Sequence, residues 1–248
     1  MIRLEICANS LTAALAAQNG GAYRVELCDN LKEGGTTPSF AHIALARKYL
    51  TIKLYPIIRP RGGDFLYSDL ELETMKTDIV QCRDLGCDGV VFGILKKDGQ
   101  IDKERCLELK QAAGNMGTTF HRAFDRCKDP FQALEDLIEL GFERILTSGL
   151  ENTALKGASL ISKLIRQAND RIVIMPGAGI RPDNLKQLMQ LTGATEFHTT
   201  AKSIFKSEMV FKDVRTGSYE EEFLTEQTDI ETVKVLVAIL NLHQMKSV

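Results

Sequence analysis

Arg3-Leu4-Glu5-Ile6-Cys7 and Arg24-Val25-Glu26-Leu27-Cys28 are two copies of one pattern, and the chain between and after them decides the fold. In each copy an acid and a thiol stand two residues apart among apolar neighbours. On a strand that spacing puts both side chains on one face. Between the copies, Ser10 can cap a helix through Leu11, Ala14, Leu15 and Ala17 that ends at Gly20-Gly21. Strand, helix and strand in this order make the unit of a parallel sheet.

The unit repeats. Strands are expected at Ile2–Cys7, Tyr23–Cys28, Ile52–Ile58, Gly89–Ile94, Thr118–His121, Glu143–Leu146, Arg171–Met175 and Ala194–His198. Helices fall between them, at Ser39–Tyr49, Glu71–Leu85, Asp102 to Ala113, from Asp129-Pro130 onward, Ala154–Gln167 and Pro182–Leu191. A last helix is expected over Asp229–Gln244. Thr37-Pro38 and Asp129-Pro130 place a cap residue before Pro at the first helical position. This rhythm over 248 residues predicts an α/β fold, a single (β/α)₈ barrel domain spanning 1–248. A doubly wound open sheet is the alternative. The stretch from Thr199 to Thr228 has no clear period and is expected to be irregular; it is too long for an idle connection. Phe205, Met209, Phe211 and Tyr219 in it suggest a lid or a subunit contact, making a homo-oligomer the expected state.

Composition narrows the function classes. A net charge of -2 and the absence of Trp leave no electrostatic footprint for nucleic acid or anionic membranes. No uncharged run reaches the ~18 residues of a membrane helix, and Glu5 interrupts the early apolar run. The protein is therefore expected to be cytoplasmic, with its six cysteines as reduced thiols. Cys82, Cys87, Cys106 and Cys127 lack zinc-site spacing and read as packing residues.

In a (β/α)₈ barrel the working mouth is built at the C-terminal ends of the strands. Glu5, Cys7, Glu26, Cys28, Arg59, Arg61, His121, Arg122, Thr147, Ser148 and His198 fall at such ends, whereas the opposite connections are plain Gly turns. Glu5 and Glu26 suit acid–base work or cation binding; pairing with Arg59, Arg61 or Arg122 is their structural reading. His121 is a candidate acid–base group, with Asp125 placed to orient it or Arg122. Arginines at 59, 61 and 122 offer bidentate forks to an anion. Gly177-Ala178-Gly179 suggests a weak phosphate cradle formed by Gly177 and Gly179. Cys7 and Cys28, on strands about 4.8 Å apart, could hold a soft ion such as Cu(I). They could equally be core thiols.

The strings Arg24–Cys28, Glu33–Ser39 (EGGTTPS), Ile58–Phe65 (IRPRGGDF), Thr119–Asp125 (TFHRAFD), Leu146–Gly149 (LTSG) and Glu196–His198 (EFH) resemble the copper homeostasis protein CutC family over about residues 2 to 204. The resemblance implies a cytosolic (β/α)₈ barrel, often oligomeric, with Cys7 and Cys28 as copper-ligand candidates. Two functions stay open at this point. One is copper homeostasis, with Cu(I) on the two thiols. The other is an enzyme acting on a small anionic metabolite, a sugar phosphate or carboxylate. It would use Glu5, Glu26 and His121 for proton transfer. Arg59, Arg61, Arg122, Asp125, Thr147, Ser148, Gly177, Gly179 and His198 would form its binding site. No organic cofactor is implied.

Overall fold

A computed structural model describes residues 2–211 and 223–245. Eight parallel strands form the barrel: β1 Arg3–Ala8, β2 Arg24–Leu27, β3 Lys53–Pro56, β4 Gly89–Phe92, β5 Gly117–Phe120, β6 Arg144–Thr147, β7 Val173–Pro176 and β8 Glu196–Thr199. Around them run α1 Leu11–Asn19, α2 Phe40–Tyr49, α3 Asp69–Asp84, α4 Lys103–Ala113, α5 Pro130–Glu139, α6 Ala158–Ala168, α7 Pro182–Thr192 and α8 Ile230–Met245. β1 pairs in parallel with both β2 and β8, the first strand with the last. That closure rules out the open doubly wound sheet. Two ladders, β3-β2-β1-β8 and β4-β5-β6-β7, meet at the Ile57–Val91 bridge, and β7 lies beside β8.

Local chemistry sets the helix starts. Ser10 Oγ accepts from Ala13 N at 3.0 Å, and Ser39 Oγ accepts from His42 N at 3.2 Å. Ser68 and Glu71 form a reciprocal capping box on α3. Asp129 caps α5 ahead of Pro130. The α6 start differs from its expected place at Ala154. A turn through Thr153–Gly157 comes first, and Gly157 packs so closely on Ser148 and Gly149 that a side chain there would collide with backbone.

Strands buried on both faces bring polar residues into the barrel. A charged layer fills its lower half. Arg24 Nη2 donates to Glu196 Oε2 at 2.7 Å, Arg144 Nε donates to the same oxygen at 2.8 Å, and Arg24 Nε donates to Glu5. The Tyr55 ring lies against both guanidiniums, 5.1 Å from that of Arg24 and 5.6 Å from that of Arg144. Gly89 and Gly117 make room for this side chain, because a Cβ would stand 2.2 Å from the ring at Gly89 and 2.2 Å from the hydroxyl at Gly117.

The segment expected to be irregular contains order. β9 Lys202–Lys206 and β10 Leu224–Thr228 form an antiparallel hairpin. It shows no period in sequence because nearly every residue of both strands is exposed or half-exposed. Tyr219 and the rest of 212–222 lie outside the described residues.

Candidate metal and ligand site at the barrel mouth

A cavity of about 600 Å³ opens at the C-terminal ends of the strands. Cys7, Glu26, His198, Arg59, His121, Arg122 and Gly179 line it, together with Phe65, which was not among the expected site residues. Glu5, Cys28, Arg61, Asp125, Thr147, Ser148 and Gly177 do not border it.

The stagger of the strands separates the twin acids. The repeat suggests that Glu5 is level with Glu26, but β1 and β2 pair with Glu5 opposite Arg24 and Cys7 opposite Glu26. A tilted, staggered strand set makes this offset necessary. Glu5 therefore sits deep, on Arg24, rather than on Arg59, Arg61 or Arg122 as its structural reading supposed. Burial opposes its charge, but Arg24 and the His198 hydrogen bond outweigh burial and hold the carboxyl well below its usual range. Glu26 sits one step higher, at the cavity. There burial, first of all, raises its pKa.

His198 joins the two acids. Its Nδ1 lies 2.7 Å from Glu5 Oε1, and its Nε2 lies 3.6 Å from Glu26 Oε2. Burial works against charge on this imidazole, but Glu26 and Glu5 overcome it and raise the pKa. The ligand atoms of Cys7, Glu26 and His198 all lie within 4.8 Å of one another, and all three residues are buried.

The same stagger leaves Cys28 one step above Glu26, just past the end of β2, yet the thiols meet. Cys7 Sγ and Cys28 Sγ are 3.2 Å apart, both unbridged. Cys28 is fully buried against Tyr55, Ile57 and Val91, whereas Cys7 faces the cavity. The hydrogen bond to Cys28, then burial and Glu26, raises the Cys7 pKa well above an ordinary thiol. Such a thiol is not a poised nucleophile.

The arginines divide differently from expectation. Arg59 Nη1 donates to the Glu33 and Gly35 carbonyls, both at 2.7 Å, and its Nη2 donates to Gly63 O at 2.9 Å. It binds two loops together through backbone oxygens rather than through Glu5, Glu26 or Asp64. Arg61 turns away from the cavity to Glu71 and Asp64, at 2.6 and 3.0 Å, because its loop folds back over α3. Arg122 donates to Asp125 Oδ2 at 2.7 Å and Ser148 Oγ at 2.8 Å, with 43% of its side chain exposed.

Asp125 thus orients Arg122 and not His121. It also accepts from Thr147 Oγ1, Ser148 N and Leu150 N, so Asp125, Thr147 and Ser148 form a buried clamp under the mouth. The Gly177 N–H donates to Thr147 O at 2.9 Å within the sheet and cannot cradle a phosphate; Gly179, at φ +72°, does reach the cavity. His121 Nδ1 accepts from Ala123 N at 3.2 Å, so the neutral ring carries its proton on Nε2. Burial, then the Arg59 charge, pushes its pKa down to about 3. Among the described residues, His121 Nε2 is a buried polar atom with no hydrogen-bond partner.

Arg24, Arg144 and Glu196 were missed as parts of the charge network. The signal was present for Arg24, which shares the period-two face of Glu26 and Cys28.

Comparison with known proteins identifies the family and the fold. The chain matches the CutC family over residues 2–203. It is 50% identical to a CutC family protein of Chromobacterium violaceum over 236 residues, covering 94% of this chain and 96% of that protein. It is 48% identical to the human copper homeostasis protein cutC homolog over 240 residues, covering 95% of this chain and 88% of that one. The crystal structure of the putative copper homeostasis protein CutC from Streptococcus agalactiae superposes with a TM-score of 0.77 at 40% identity, covering 81% of this chain and 99% of the other. The chain belongs to the CutC family of copper homeostasis proteins.

Proposed function

We propose that this protein binds Cu(I) as cargo in the cytoplasm, through the thiolates of Cys7 and Cys28. The observation that carries the reading is the 3.2 Å approach of the two sulfurs. Thiolates are preferred ligands of Cu(I). A linear S–Cu–S unit needs about 4.6 Å between sulfurs, taking metal–thiolate bonds of about 2.3 Å. Cys28 is fixed in packing, so the opening falls to Cys7, whose side chain borders the cavity. Ion exchange then occurs from the Cys7 side. Both thiol protons leave to solvent as the ion binds, including the one that the Cys28 hydrogen bond, burial and Glu26 hold on Cys7.

The test is an anaerobic Cu(I) titration against a competing chelator, comparing wild type with Cys7→Ser/Cys28→Ser. The reading expects a loss of affinity of at least two orders of magnitude. Unchanged affinity in the double variant rejects these ligands.

The enzyme reading keeps one specific observation, the unpartnered His121 Nε2–H beside the half-exposed Arg122 at the same cavity. Arg59 and Arg61 no longer support it, since backbone carbonyls occupy the first and carboxylates outside the mouth occupy the second. Binding of a small carboxylate or phosphate that is lost in Arg122→Gln would favour it.

A further inference from the structure

We propose that Cys7, Glu26 and His198 form a second metal centre, selective for a borderline divalent ion such as Zn²⁺, with its fourth coordination position open to the cavity. This centre shares Cys7 with the copper reading but does not rest on it.

The donor set is one thiolate, one carboxylate and one imidazole, each a ligand type that Zn²⁺ takes. A tetrahedron with bonds of about 2.0–2.3 Å has edges of about 3.3–3.6 Å. The 3.6 Å between His198 Nε2 and Glu26 Oε2 is already such an edge. The widest separation among the three donors is under 4.8 Å, so closing the site needs about an ångström of side-chain movement.

A second observation points the same way. A metal-binding histidine donates its other ring N–H to a carboxylate that fixes tautomer and ring angle. His198 is held in this manner. Its Nδ1 lies 2.7 Å from Glu5 Oε1, and Arg24 in turn secures Glu5. The proton on Nδ1 leaves the Nε2 lone pair aimed at Glu26 and Cys7. Glu5 is thereby a positioning residue, and its deep seat at the stagger of β1 and β2 acquires a purpose.

Access divides the two ion sites. Cys7, Glu26 and His198 all border the cavity, while Cys28 and Glu5 do not. The soft two-sulfur site lies on the buried side of Cys7, and the mixed site lies on its open side. Three protein ligands with an open fourth position make a zinc site that can take water or an oxygen of a small ligand. Here that position opens onto a cavity bordered also by His121 and Arg122, so a small carboxylate is the class of ligand it fits. On binding, the ion displaces to solvent the Cys7 thiol proton and the proton held between His198 Nε2 and Glu26, and Glu26 coordinates as carboxylate.

The test uses the full-length protein stripped of metal, titrated with Zn²⁺ by calorimetry and with Co²⁺ as a spectroscopic probe. Wild type should take up one divalent ion and show a thiolate-to-cobalt charge-transfer band. Glu26→Gln and His198→Gln should each weaken Zn²⁺ binding by more than about 100-fold, beyond the 10–100-fold typical of losing an outer partner. Cu(I) affinity should survive in Glu26→Gln, and Cys28→Ser should abolish Cu(I) binding while leaving the Co²⁺ spectrum intact. Circular dichroism identifies any variant that fails to fold, and Cys28→Ser carries the dissociation if one does. No charge-transfer band in wild type, or unchanged Zn²⁺ affinity in both Glu26→Gln and His198→Gln, overturns the centre. Loss of the Co²⁺ band in a folded Cys28→Ser also overturns it, since divalent ions would then use the two-sulfur site. A wild type that shows the Co²⁺ band but binds no Cu(I) supports this centre and overturns only the copper reading.

Discussion

His121 and Glu196 show how burial sets charge at the level of single residues. His121 is neutral because desolvation and the Arg59 charge both oppose protonation, and its folded pKa is down to about 3. The sign of its contribution follows from linkage. The unfolded imidazole takes a proton below about pH 6.5 while the folded one does not, so this residue costs stability as pH falls from about 6.5 toward 3. The slope approaches about 1.4 kcal/mol per pH unit once the unfolded group is fully charged. His121→Gln should therefore lose less stability than wild type between pH 7 and pH 5 in urea titrations. Parallel losses in the two proteins would show that His121 is not held neutral. Glu196 is the opposite case, a carboxylate bonded to both Arg24 and Arg144. Glu196→Gln leaves those buried cations short of charge and should cost about 3–5 kcal/mol in urea unfolding. A loss under 1 kcal/mol would mean that the layer rearranges.

At the level of elements, what was legible in the sequence depended on whether an element has a buried face. The strands and the caps Ser10, Asp102 and Asp129 were readable, because short-range chemistry fixes them, whereas the cap expected at Thr37 lies at Ser39, two residues on. The α6 start was misplaced because a close Gly149–Gly157 approach, invisible to local propensity, intervenes. The β9–β10 hairpin was unreadable because it buries almost nothing within one chain. That exposure has a consequence for assembly. Ile204, Phe205, Met209, Val210 and Phe211 are all exposed, Val210 at 97% and Phe211 at 73%, while the hairpin base at Ala201 and Lys202 borders the cavity. An apolar arm of this kind suits a second copy of the chain, as expected of a homo-oligomer. Phe205→Ser/Phe211→Ser should shift sedimentation toward the monomer without lowering the unfolding temperature of the barrel. An unchanged sedimentation coefficient would assign the arm another role.

Across the whole molecule, the barrel's stagger decides which residues of the repeated pentapeptides meet. The repeat was legible in the sequence, and so was the placing of acids, thiols and histidines at strand ends. Register was not, since no local signal reports shear. It sends Glu5 down to the Arg24 and Arg144 layer, lifts Glu26 to the cavity, and still brings Cys7 within 3.2 Å of Cys28. The molecule thus carries a buried charged floor and, above it, a mouth that Cys7, Glu26 and His198 border. Among the described residues no helix is long and apolar enough to cross a membrane. The central claim, Cu(I) on two thiolates, is tested most directly by X-ray absorption at the copper edge on anaerobically loaded protein. The account predicts a two-coordinate ion with two sulfur neighbours at about 2.3 Å, lost in Cys28→Ser. A first shell of nitrogen or oxygen, or the same spectrum in Cys28→Ser, would contradict it.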